Sequence, residues 1–137
     1  MFRDIVNQLE SHIVYNQPIV ADGDTFSLEF DTIDFESGLY WSVFVTVYND
    51  GEYLLSAQES DVGGFDQSDW DDVPTEAYCN EQPIANSVTG ALDPIPILGV
   101  FSTKRYVRLK ITASNVTSGA NLAGLVTAKA DYRPDPN

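Results

Sequence analysis

The stretch LYWSVFVTVY, residues 39–48, decides the fold class. It is rich in β-branched and aromatic residues, which favour β-strands. Side chains alternate between the two faces of a strand, so the stretch predicts one set that faces the core and one set that faces away. The inward set is Trp41, Val43, Val45 and Val47, and the outward set is Tyr40, Ser42, Phe44, Thr46 and Tyr48. The aromatics of the outward set could cover a second sheet, form a sugar platform or form a subunit interface.

Further strands are predicted on both sides of this central one. Residues 25–31 alternate between apolar and polar side chains, and Asp50-Gly51 is a strong hairpin signal between residues 39–48 and 53–59. Regular structure returns at residues 97–101. The stretch RYVRLKIT, residues 105–112, is expected to direct Val107, Leu109 and Ile111 inward and a cationic face outward. A last strand covers residues 122–130, after a Gly/Asn/Ser turn.

Two segments depart from the strand pattern. Apolar residues at positions 2, 5, 6, 9 and 13 follow helical spacing, so residues 1–14 are expected to form a short N-terminal helical segment that docks on the core or on another protein. Residues 60–96 are rich in Gly, Pro, Asp and Asn and predict a long loop. The prediction is therefore an all-β protein: one β-sandwich or jelly-roll-like domain over residues 15–137, preceded by the helix.

Composition limits the function classes. The 137 residues are enough for one core. No apolar run is long enough for a membrane helix and no signal-peptide pattern is present, so we expect a soluble protein without membrane attachment. The formal charge of -14 argues against nucleic-acid partners, because binding to them depends on neutralising phosphates. Six of the seven basic residues lie in the last third of the chain, which suggests complementary contacts between subunits.

The residues that could carry chemistry do not form a recognisable catalytic pattern. Seven acidic residues cluster between positions 59 and 76, but without the spacing of an EF-hand loop, so a solvated acidic loop is favoured over calcium. His12 is the only histidine and has no nearby serine or cysteine in a nucleophile-elbow pattern, and Cys79 is the only cysteine. We therefore expect no enzyme activity, no cofactor and no metal site.

Two segments resemble a known family. The segment GVFSTKRYVRLKITASNVTSGANLAGLVTAKA, residues 99–130, is similar to the C-terminal half of small tailed-bacteriophage virion proteins encoded near the capsid gene. YLLSAQESDVGGFDQSDWDDV, residues 53–73, resembles the strand and acidic loop of the same capsid decoration, or cement, proteins. The resemblance implies a β-sandwich or jelly-roll subunit that binds the outside of the capsid, often as a trimer, without catalysis.

The resulting expectation is a virion structural protein made in the bacterial cytoplasm and located on the capsid surface. Its partners would be the major capsid protein and other copies of the same chain. The candidate contact residues are three apolar positions of the predicted helix and three cations at or near the start of the 105–112 strand: Phe2, Ile5, Leu9, Lys104, Arg105 and Arg108. The alternative is a head-tail joining, tail or glycan-binding receptor protein of the virion.

Overall fold

The computed structural model describes residues 9–33, 35–79, 84–86 and 97–130. These residues form strands joined by turns, with two single turns of 3-10 helix at Gln67–Asp69 and Thr75–Ala77. The strands are β1 (Leu9–Ile19), β2 (Gly23–Phe26), β3 (Phe30–Asp31), β4 (Phe35–Tyr48), β5 (Glu52–Ser60), β6 (Asp71–Asp72), β7 (Ile84–Asn86), β8 (Ile97–Phe101), β9 (Tyr106–Ser114) and β10 (Ala120–Ala130). None of the helices in the described part is long and apolar enough to cross a membrane.

The strands form two antiparallel sheets. Sheet A has the order β1-β10-β4-β8, and sheet B has the order β2-β9-β5-β6, with β3 also paired to β9 and β7 to β5. The pairing of β1 with β10 begins at Leu9 and Lys129 and continues to Ile19 and Ala120. The predicted all-β class is therefore confirmed.

The inner faces of the two sheets share one hydrophobic cluster, as in a β-sandwich. Trp41 from sheet A and Tyr53 and Leu109 from sheet B are fully buried in it. The two sheets are in contact at Gly124, where a Cβ would lie at an ordinary van der Waals distance of 3.4 Å from Leu109 Cδ2. The inward positions predicted for β9 are confirmed, since Val107, Leu109 and Ile111 are all fully buried.

A bulge near the end of β4 changes which side chains face the core. Val47 pairs with Asn121 and Val45 with Leu122, so Thr46 is an extra residue on the β4 side. An extra residue reverses the alternation beyond it. Val47, predicted to be inward, is consequently 47% exposed, while Tyr48 packs against the core.

The predicted N-terminal helix is wrong over residues 9–14, where β1 is a strand; residues 1–8 lie outside the described part of the chain. An isolated helix of this length is marginal in water. Pairing with β10 supplies backbone hydrogen bonds instead. Val14 is the extra residue at a register shift, and both Val14 and the following Tyr15 are buried. The apolar spacing that suggested a helix therefore serves an edge strand.

The predicted hairpin at Asp50-Gly51 is also wrong. The turn connects β4 in sheet A to β5 in sheet B, so the two flanking strands do not pair with each other. Gly51 has a φ of 103°, which explains why glycine is favoured there. The Asp50 carboxylate accepts hydrogen bonds from the backbone N–H groups of Thr117, Ser118 and Gly119. Asp50 thus ties the crossing between the sheets to the β9–β10 turn.

The segment predicted as a long loop, residues 60–96, contains short regular elements where it is described. Asp71–Asp72 pairs with Gln58 and Glu59, and Ile84–Asn86 pairs with the first half of β5. Residues 80–83 and 87–96 lie outside the described part. The first of these short strands covers the outer edge of sheet B.

We expect Asp50→Asn to lower the melting temperature at neutral pH more than Asp69→Asn does. Hydrogen bonds from three backbone amides lower the pKa of Asp50 below its usual value of 3.8, so its contribution is complete above that value and is lost as pH falls through the lowered pKa. The difference between variant and wild type should therefore shrink below about pH 3.8. Melting curves measured by circular dichroism from pH 7 to pH 2.5 test this, and a gap that is independent of pH would contradict it.

Candidate functional site

The predicted contact residues do not form one site in the described part of the chain. Phe2 and Ile5 lie outside it, and Leu9 opens β1 at the edge of sheet A. Lys104 and Arg105 occupy the turn before β9, and Arg108 lies within β9 of sheet B. Their role as partner contacts remains a prediction.

Lys104 and Arg105 already have acidic partners in their own chain. Lys104 Nζ lies 3.4 Å from Asp61 Oδ2 and 3.8 Å from an Asp71 carboxylate oxygen. Arg105 forms a two-pronged contact with Asp31, with Nη2 2.9 Å from Oδ2 and Nε 3.1 Å from Oδ1. These contacts raise the pKa of Lys104 and lower the pKa of Asp31. Exposed ion pairs of this kind contribute little to the free energy of unfolding.

Arg108 points to the outer face of sheet B, as predicted, but is only 5% exposed. Its guanidinium carbon lies 3.8 Å from the ring centre of Phe26 and 4.2 Å from that of Trp70. Nε and Nη2 donate to Gln58 Oε1 at 3.0 and 2.7 Å, and Nη2 also donates to Gln67 Oε1. The expectation of an exposed cation is wrong here because residues 64–70 fold over the β9 side chain.

The pKa of Arg108 is lowered by burial, and the charge of Glu29 opposes this effect. Its hydrogen-bond acceptors are neutral amide oxygens, so direct contact with a carboxylate does not compensate the buried charge. The two aromatic rings contribute through their electron-rich faces instead. Arg108 is therefore a structural cation that holds the 64–70 segment against sheet B.

A cavity of about 520 Å³ lies beside Arg108. It is lined by aromatic, aliphatic and polar groups from two parts of the chain: Phe26, Ser27, Leu28, Glu29, Gly64, Phe65, Gln67, Trp70 and Arg108. We call it the Arg108 cavity. Phe65 is completely exposed and Leu28 is 70% exposed, so both present apolar surface to solvent at this site.

A break between β2 and β3 creates one wall of the Arg108 cavity. Ser27, rather than Leu28, turns inward, and its Oγ accepts a 2.8 Å hydrogen bond from the Leu109 N–H. The Leu28 N–H donates to the carbonyl of Val14. The sequence pattern of residues 25–31 predicted an unbroken strand with Leu28 inside. It did not indicate that the polar side chain of Ser27 would take the inward position.

The opposite wall is a tight turn held by specific hydrogen bonds. Gly63 and Gly64 have positive φ values of 68° and 91°. The Gly64 N–H donates to Glu29 Oε2, and Trp70 Nε1 donates to the Gly64 carbonyl at 3.0 Å. The Gly-Gly pair, which lacks the spacing of a phosphate-binding loop, thus joins the two walls.

The acidic residues of the predicted loop are dispersed among different partners. Glu59 Oε2 accepts a 2.6 Å hydrogen bond from Ser102 Oγ, and an Asp66 oxygen caps the 3-10 turn through Ser68. Asp72 contacts Gln58 Nε2 and Lys110 Nζ. Across the described residues, no group of three or more His, Cys, Asp or Glu side chains is arranged to hold a metal ion.

The outer face of sheet A has a different character, and we call it the neutral face. Its described side chains include Ser11, Ile13, Tyr40, Ser42, Phe44, Phe101, Ala123, Leu125 and Thr127, as the strand alternation and register place them. Ile13 is 67%, Phe101 55% and Tyr40 47% exposed. None of the side chains described on this face is charged.

Two glycines let aromatic rings lie flat on the neutral face. A Cβ at Gly38 would approach the Phe101 ring to 3.2 Å, and one at Gly99 would approach the Tyr40 ring to 2.9 Å. The sequence predicted the outward positions of Tyr40 and Phe44 from their alternation in β4. It could not predict the matching residues of β1, β8 and β10, because their register comes from long-range pairing.

The chain is an all-β protein of two antiparallel sheets. It matches no protein-family model, and no curated protein matches its sequence. Among solved structures it is similar to the crystal structure of the SPBc2 prophage-derived protein YomS, with 12% sequence identity and a TM-score of 0.49. The alignment covers 87% of this chain and 92% of YomS.

We expect Arg108→Lys to destabilise the protein by about 2 kcal/mol, because lysine cannot keep the hydrogen bonds to both glutamines or stack between two rings. Arg105→Lys serves as the control, since the exposed pair with Asp31 should contribute less than about 1 kcal/mol. Urea unfolding followed by tryptophan fluorescence measures both changes. Equal losses for the two variants would contradict the structural role of Arg108.

Proposed function

We propose that this chain is a non-catalytic structural subunit of a tailed-phage virion, a decoration protein that binds the capsid exterior as a homo-oligomer, most simply a trimer. The resemblance of residues 53–73 and 99–130 to cement proteins supports the virion assignment. The observation that carries the assembly role is the neutral face of sheet A, an apolar surface on a chain with a formal charge of -14.

The neutral face suits other copies of the same chain, and in a trimer each subunit would contact its two neighbours through different parts of this face. Like-charged copies repel each other at most of their surfaces, and the described side chains of the neutral face avoid that cost. The four strands of sheet A are 5 to 14 residues long, and at a spacing of about 4.8 Å they present roughly 650 Å² in projection. This approaches the roughly 800 Å² that each partner buries in a stable interface.

Capsid binding would then use the surfaces next to the neutral face and at the β8–β9 turn. The apolar positions Phe2 and Ile5 precede Leu9, whose strand forms an edge of sheet A. Lys104 and Arg105 would exchange their intrachain acids for acidic groups of the major capsid protein. Each added interface stabilises the shell by mass action, without a chemical step.

The alternative is a head-tail joining, tail or receptor-binding subunit of the virion. The Arg108 cavity favours a receptor-binding role, because it combines apolar walls with a few polar groups, as ligand sites do. Location separates the two roles: a decoration protein covers the capsid in many copies, whereas a joining or receptor-binding protein occurs at the tail or its connection. Labelling of intact virions with an antibody to the chain distinguishes these positions in electron micrographs.

We expect Ile13→Lys to break the homo-oligomer, because a charge would be buried in the interface, and Val62→Lys to leave it intact. Val62 is the matched control for Ile13: the two side chains are 66% and 67% exposed, but only Ile13 lies on the neutral face. Light scattering should give three times 15.1 kDa for wild type and Val62→Lys, and 15.1 kDa for Ile13→Lys. A wild-type monomer, or an Ile13→Lys oligomer of unchanged mass, would exclude the neutral face as the self-contact.

We expect removal of residues 1–8 to weaken binding to undecorated capsids of the encoding phage, since this deletion removes Phe2 and Ile5 but keeps β1. Co-sedimentation measures the bound fraction, and the double variant Lys104→Glu, Arg105→Glu tests the second contact in the same assay. Retention of a normal oligomeric mass serves as the folding control. If the full chain does not sediment with capsids, the decoration role is wrong; if both variants bind normally, only the assigned contacts are wrong.

A further inference from the structure

The Arg108 cavity has the volume of a small-molecule site. At about 520 Å³ it falls within the range of roughly 300–1,000 Å³ that is usual for ligand pockets. Phe65 and Leu28 supply exposed apolar surface, and Trp70 and Phe26 form a rigid interior wall around the guanidinium. Burying Phe65 in a complex would remove a fully exposed ring from water.

Polar groups with unused hydrogen-bonding capacity converge on the same cavity. In the described part of the chain, Arg108 donates through Nε and Nη2, which leaves Nη1 available. Glu29 accepts from Gly64 with Oε2, and no hydrogen bond among the described residues uses its Oε1. Gln67 accepts from Arg108 with Oε1, so its amide nitrogen can donate to a ligand. Donors and an acceptor therefore stand beside an apolar surface.

The lining carries no net charge, because Glu29 and Arg108 are its two ionisable members and oppose each other. Inside the cavity, Glu29 repels an anion and Arg108 repels a cation, so the lining favours neither sign of ligand charge. A neutral ligand with several hydroxyl groups and one apolar face fits both the charge balance and the chemistry of the walls. Sugar rings have this combination, since their C–H face packs on aromatic rings while their hydroxyls donate and accept.

We propose that the Arg108 cavity is a binding site for a neutral saccharide, with Phe65 as the stacking platform. Glu29, Gln67 and Arg108 Nη1 would hydrogen-bond the sugar hydroxyls. This inference goes beyond the proposed structural function and does not rest on it, because the cavity lies on sheet B and the neutral face on sheet A. A decoration protein with such a site would present many copies of it on the virion surface.

Binding is tested with the full-length protein on an array of neutral bacterial and eukaryotic oligosaccharides, followed by titration of each hit using tryptophan emission. Trp70 lines the cavity and Trp41 is fully buried in the core, so a saturable emission change reports on Trp70. At least one array member should bind. Phe65→Ala and Glu29→Gln should each weaken that binding by about tenfold.

Val62→Ala is the matched control, because Val62 is an exposed apolar residue of the same segment that does not line the cavity, and its affinity should equal that of wild type. Phe65 is fully exposed, so Phe65→Ala should melt at the wild-type temperature and loss of fold would not explain weaker binding. No binding on the array, or binding unchanged in both cavity variants, overturns the proposal. Binding of an apolar peptide that requires Phe65, with no saccharide bound, also overturns it in favour of a protein ligand. Capsid co-sedimentation and oligomeric mass of Phe65→Ala should be normal, which separates this result from the proposed function.

Discussion

The pairing of β10 with both β1 and β4 is the constraint on which sheet A depends. Strand β10 lies between β1 and β4, both of which end before residue 49, so the sheet cannot form until distant segments meet. Loop closure must precede such contacts, which makes folding of this topology slower than folding of a chain with local pairs. The Asp50 carboxylate helps to stabilise the folded sheets, because it anchors the β9–β10 turn to the crossing between them.

Long-range pairing also explains which features could be predicted from the sequence. The β class, the strands near residues 97–101, 105–112 and 122–130, and the inward side of β9 all follow from local alternation and were confirmed. The helix and the hairpin failed because both predictions assumed that nearby residues pair with each other. Residues 9–14 pair instead with the C-terminal part of β10, and Asp50-Gly51 turns the chain from one sheet to the other.

The candidate sites also combine features that follow from local alternation with features that depend on long-range pairing. Alternation in β4 was enough to place Tyr40 and Phe44 outward, yet the neutral face also needs Ile13 and Leu125, whose position depends on register with β10. Arg108 was assigned to the correct side of β9 but to the wrong environment. Its cover comes from a segment about 40 residues earlier, and only the folded chain brings Trp70 over the guanidinium.

The described side chains on the outer faces of sheets A and B therefore differ in charge. On the side of sheet B, Lys104 pairs with Asp61 and Lys110 with Asp24 and Asp72, while Arg108 is held by amide oxygens and aromatic rings. The described side chains that form the neutral face of sheet A are apolar or carry hydroxyl groups. A subunit with one face of each kind can associate through one side while the other remains well hydrated.

The side-by-side placement of Leu9 and Lys129 at one end of the β1–β10 ladder has a consequence for the order of the chain. A covalent link across these positions, with new termini opened in an exposed turn between two strands, would convert the longest-range strand pair into a neighbouring one. The sheets and their contacts would stay the same, but the average separation of contacting residues would fall. Such a circular permutant would fold to the same architecture at a higher rate, because its contacts are more local.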